Sequence, residues 1–77
     1  MPERIEIVVG KRIAQARKQA GLTQEKLAEK LYWKREEIAR FETAQRTPRI
    51  KVLAEIAEVL NVPMTFFFEQ DDPTDAT

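Results

Sequence analysis

The feature that most constrains this chain is a pair of short helical patterns with almost nothing between them. Leu27, Ala28 and Leu31 form an apolar stripe in residues 24–31, and Ile38 and Phe41 form another in residues 34–42. A turn of about three residues, Tyr32-Trp33-Lys34, joins them. Helices of roughly two turns are marginal in water on their own. These two must therefore pack on each other and on the rest of the chain.

The flanking sequence supplies what they pack against. Ile5, Val9, Ile13 and Ala16 recur at spacings of three and four, one face of a helix expected over residues 3–20. Gly10 weakens its middle and marks a late start or a bend. Gly21 suits the left-handed position that ends a helix. Thr23 is an N-cap for the second helix, with Glu25 in its first turn. After the third helix, TAQRTP is a polar loop closed by Pro48. Ile50, Leu53, Ala54, Ile56, Ala57 and Leu60 form the apolar face of a fourth helix, closed by Asn61. Pro63 opens a last helical turn through MTFFF. The expected fold class is all-α with five helical segments, and neither a strand pattern nor an internal repeat is present.

A chain of 77 residues fits one domain with one modest core. The domain is expected over residues 1–68, followed by an acidic, disordered tail over 69–77. The chain has no cysteine and no histidine, so disulfides are impossible and the commonest metal ligands and general base are missing. No nucleophile–base pairing, metal cluster or Gly-rich phosphate loop stands out. The expectation is no enzyme activity, no cofactor, no metal and no small-molecule ligand. Apolar runs are too short to span a membrane, and the start lacks signal-peptide character, so a cytoplasmic location is expected.

Formal net charge is zero, but the charges are segregated. Residues 11–51 hold twelve basic and five acidic side chains, a surplus of seven, whereas 69–77 hold four acidic and no basic ones. A basic middle points to nucleic acid.

Two short helices joined by so short a turn have helix-turn-helix geometry. In that arrangement the first helix crosses the DNA backbone and the start of the second enters the major groove. Leu27, Leu31 and Ile38 lock the pair. If Ile38 and Phe41 face inward, Lys34, Arg35, Glu36 and Arg40 face outward or sideways. Arg35 suits guanine O6 and N7, and Glu36 suits the cytosine amino group. Gln24, at a helix start, can donate to phosphate beside the free backbone N–H groups. By spacing alone the same residues could be a solvated helix surface, since most paired helices are packing partners only.

The neighbouring residues raise the specificity. GLTQEKLAEKL, then IARFE, then a polar loop and TP, resembles the Cro/repressor-like (XRE-type) helix-turn-helix family. The likeness covers residues 9–68 and includes Arg17, the Thr23-Gln24-Glu25-Lys26-Leu27-Ala28 run, Ile38-Ala39-Arg40-Phe41-Glu42 and Pro48. It implies a compact five-helix bundle in which Arg17 pairs with Glu42. It implies base contacts from Lys34, Arg35, Glu36 and Arg40. It implies phosphate contacts from Gln24, Gln45, Arg46, Thr47 and Arg49. Lys11, Arg12 and Lys18 are expected to be surface charges, at most one of them reaching phosphate.

Two places depart from the family pattern. Tyr32, Trp33 and Lys34 stand where Gly, an aliphatic residue and Ser are usual, and Ala44 replaces another Gly. A Tyr at positive φ is strained, and Lys accepts no capping hydrogen bond. Either the turn has another backbone shape, or Trp33 packs beneath the helices and offsets the strain. Tyr32 is expected to be partly exposed, with contact of its hydroxyl to phosphate as the lesser alternative.

The resemblance implies a transcriptional regulator, a repressor, that binds a short inverted repeat of double-stranded DNA as a homodimer. Phe66, Phe67 and Phe68 cannot all enter one small core, which makes them a candidate dimer interface. The alternative is a protein-interaction module of the same fold, whose partner is a toxin or another regulator.

Overall fold

The computed structural model describes residues 2–69. Four α-helices are followed by a short 3-10 helix: α1 Arg4–Gln19, α2 Gln24–Leu31, α3 Arg35–Glu42, α4 Ile50–Leu60, then Met64–Phe68. No strand occurs among the described residues. The five expected helical segments are all present, but the last is a 3-10 turn, so the five-helix bundle is four α-helices and that turn. The last segment follows Pro63 and has only five residues, a length at which 3-10 geometry is favoured over a full α-helix. The expected acidic tail lies, apart from Glu69, outside the described residues.

Each helix starts and stops for a local reason. The Glu3 N–H donates to Glu6 Oε1 at 2.7 Å at the start of α1. Thr23 Oγ1 accepts from the Lys26 N–H at 3.0 Å at the start of α2. All four α-helices end on one motif. A left-handed residue follows each of them: Gly21 (φ 75°), Tyr32 (59°), Ala44 (62°) and Asn61 (58°). The next N–H then reaches back to a carbonyl five residues earlier. Leu22 donates to Arg17 O (3.1 Å), Trp33 to Ala28 O (2.9 Å), Gln45 to Arg40 O (2.9 Å) and Val62 to Ala57 O (3.0 Å).

α1 packs on α3 and on the 3-10 helix, while α2 packs on α3 and α4. The core is centred on Ile13, Leu27, Ile38, Ile56 and Phe67, all fully buried. Gly10 neither delays nor breaks α1. It is where α1 meets the end of α3. A Cβ there would lie 2.6 Å from the Phe41 carbonyl oxygen and 2.7 Å from that of Glu42.

Three residues read as core by their spacing are not. Ile5 is 47% exposed, Ile50 is 78% exposed, and Ala54 faces solvent. Ile5 and Ile50 lie in the first turns of α1 and α4, where the neighbouring elements no longer cover them. They share an open groove with Val9, Pro48, Leu53 and Phe68. Of the three phenylalanines, Phe67 is buried, Phe66 is half-buried and Phe68 is exposed.

Candidate nucleic-acid interface

α3 is held at both ends, with one face buried. Ile38 and Phe41 are buried, whereas Lys34, Arg35, Glu36 and Arg40 are exposed. Lys34, Glu36, Glu37 and Arg40 border one shallow depression on the protein surface. Mixed charges therefore line the outward start of the helix, on a base of apolar contacts.

The N-terminal end is set by the turn. Tyr32 takes up the left-handed conformation of the usual glycine, so the backbone shape is kept and the strain accepted. Trp33 packs against the core, its ring 5.7 Å from that of Phe41 and tilted by 59°. Lys34 begins the helix without an acceptor of its own, since an ammonium group has none. Glu37 supplies the bond instead, its Oε1 accepting from the Lys34 N–H at 3.0 Å. The three-residue spacing from Lys34 to Glu37 is the sequence signal for this bond.

The C-terminal end is set by Glu42. Its carboxylate accepts from Arg17 Nε (2.6 Å), Arg17 Nη2 (3.2 Å) and Gln24 Nε2 (3.0 Å). Arg17 Nη1 donates to the Leu22 carbonyl at 2.8 Å. One buried network thus ties α1, the start of α2 and the end of α3 together. Gln24 is half-buried, with its amide spent on Glu42.

Gln45, Arg46, Thr47 and Arg49 are all exposed after α3. The N–H groups of Gln45 and Arg46 both donate to Arg40 O, at 2.9 and 3.2 Å, which holds the loop against the helix end. Thr47 Oγ1 donates to Glu6 Oε2 at 2.5 Å. That bond first, and the Glu3 N–H second, hold the Glu6 carboxyl below its ordinary value of 4.5.

Arg12 corrects the expectation of a surface charge. It is 6% exposed. Its Nε donates to Phe66 O at 2.8 Å, its Nη1 to Gln15 Oε1 at 2.9 Å and its Nη2 to Glu69 Oε1 at 3.1 Å. The guanidinium also lies 3.8 Å from the centre of the Phe66 ring. The helical period carried the signal, because residue 12 falls on the same face as Val9 and Ala16. With Arg12 and Arg17 buried, the ten other basic residues of 11–51 are exposed.

The helix-turn-helix family model matches residues 13–67. An uncharacterised HTH-type transcriptional regulator of Sinorhizobium medicae is 40% identical over 74 residues, which are 96% of this chain and 52% of that protein. The chain thus spans about half the length of this curated relative. Among solved structures it is similar to the DNA-binding domain of BldD, with TM-score 0.80 and 25% identity over 90% of this chain and 100% of that one. It is also similar to the restriction-modification controller protein C.AhdI from Aeromonas hydrophila, with TM-score 0.75 and 26% identity over 80% and 94% of the two chains.

Proposed function

We propose a function from one premise: this chain belongs to the helix-turn-helix family, of the Cro/repressor-like (XRE) type. On that premise it is a DNA-binding transcriptional regulator, and its work is binding rather than catalysis. The observation that carries this reading is the division of α3, with Ile38 and Phe41 locked inward and Lys34, Arg35, Glu36 and Arg40 turned to solvent.

Phosphate contacts set the register of the protein on the duplex and supply most of the affinity. Gln45, Arg46, Thr47 and Arg49 serve this role beside the end of α3, with Gln24 at the start of α2. Thr47 and Gln24 exchange their present partners, Glu6 and Glu42, to do so. The start of α3 enters the major groove, where Arg35 reads guanine and Glu36 reads cytosine, flanked by Lys34 and Arg40. Occupancy of a promoter would block polymerase, which makes the protein a repressor acting in the cytoplasm. No described helix is long and apolar enough to cross a membrane.

The chain acts as a homodimer on a short inverted repeat. The exposed apolar side chains of Ile5, Ile50 and Phe68 support a second copy on that face. A twofold dimer places two recognition helices about one DNA turn apart. The same patch favours the second reading, in which the fold holds a toxin or another regulator. Selection of bound sequences from random duplex DNA tests both. A palindromic motif supports the dimeric regulator. Failure to bind any DNA at low salt selects the interaction module.

A further inference from the structure

Tyr32 is the side chain this fold explains least. It is 97% exposed, yet its backbone sits at φ 59°, a region that L side chains disfavour and glycine adopts freely. Its ring is not among the side chains packed on the core, and its hydroxyl makes no hydrogen bond to the described residues. The conformation itself is firmly held. The Tyr32 N–H donates to Glu29 O at 3.3 Å, and Trp33 is pinned on both sides, by Ala28 O and by Phe41. A rigid backbone thus presents a fully solvated phenol two residues before the cap of α3.

We infer that Tyr32 is a DNA-positioning residue, whose hydroxyl donates to a backbone phosphate at the edge of the groove that α3 enters. This rests on the DNA-binding reading above. When the start of α3 lies in the major groove, the turn that delivers it stands at the groove wall, where the phosphates run. Tyrosine hydroxyls are ordinary phosphate donors, and the ring can cover the adjoining sugar. Lys30 and Lys34 are both exposed beside it, and neither is held in an ion pair among the described residues. A contact of this kind explains why the turn keeps a strained aromatic where the fold alone asks for none.

The test compares wild type, Tyr32→Phe and Tyr32→Gly on the DNA site selected by the wild type and on random duplex, alongside thermal melting. Tyr32→Gly is expected to melt higher than wild type, because the strain is relieved, and to bind both DNAs more weakly by roughly tenfold or more. Tyr32→Phe is expected to melt like wild type and to lose most of the same affinity. The salt slope should stay unchanged in both, since no cation is removed. Wild-type affinity in both variants would overturn the inference and leave the DNA-binding reading intact. A loss confined to the selected site would overturn it in favour of a base contact. Absence of any DNA binding by the wild type would overturn both together.

Discussion

Arg17 and Glu42, twenty-five residues apart, form a buried bidentate pair: Nε lies 2.6 Å from Oε2 and Nη2 lies 3.2 Å from Oε1. Their side chains are only 10% and 6% exposed. The pair fixes the far end of α3 to α1. Glu42→Ala leaves a buried guanidinium without its partner and Gln24 without its acceptor. Such losses destabilise by about 3–5 kcal/mol. Urea unfolding should show this loss, and a change below about 1 kcal/mol, the range of exposed pairs, would mean the pair is not the tie described.

Gly10→Ala tests the contact between α1 and α3. In an open helix this change stabilises by about 0.5–1 kcal/mol. Here the new Cβ would meet the Phe41 and Glu42 carbonyl oxygens at 2.6 and 2.7 Å. Backbone atoms cannot swing aside, so the sign reverses, to a loss of about 1–3 kcal/mol. Thermal melting reads the sign directly.

Ala44→Gly should do the opposite. Ala44 holds φ 62° at the exit of α3, where the left-handed backbone costs about 1–2 kcal/mol for an L residue. Glycine removes that cost, less its greater unfolded-state entropy, so a small rise in melting temperature is expected. A fall would mean that the methyl group makes a contact worth more than the strain.

Glu6 gives the fold a pH dependence. Its folded pKa lies below the ordinary value of 4.5, chiefly through the Thr47 hydroxyl. A depressed carboxyl contributes stability that is fully present above its unfolded value and is lost as pH falls through the folded one. Thr47→Val should move the Glu6 titration, followed by NMR, back upward and flatten the acid side of the stability curve. An unmoved titration would remove Thr47 as the cause.

Much of this was legible in the sequence. The period of three and four placed Val9, Ile13, Leu27, Ile38, Phe41, Leu53, Ile56 and Leu60 in the core, and all are buried. Thr23 and Gly21 marked helix ends correctly, because capping is a local interaction. What the sequence hid was decided by distant parts of the chain. Gly10 reads as a helix breaker until the carbonyls of Phe41 and Glu42 are placed against it. The spacing puts Arg12 on the buried face, but the partners that satisfy its guanidinium there, the Phe66 carbonyl and Glu69, come from the far end of the described chain. At the Tyr32 turn both outcomes stood open, another backbone or a strained one. The packing of Trp33 on Phe41 decided for the strained one.

The most direct test of the central claim, that α3 reads sequence, uses the selected site, each of its single base-pair variants and random duplex. Dissociation constants are measured for wild type and Arg35→Ala at one stated salt concentration. Wild type should prefer its site over random DNA by at least about a thousandfold. Arg35→Ala should lose about 1–3 kcal/mol of discrimination at one base pair and little elsewhere. Equal weakening on the selected site and on random DNA would contradict the account, because Arg35 would then be a cation near phosphate rather than a reader of a base.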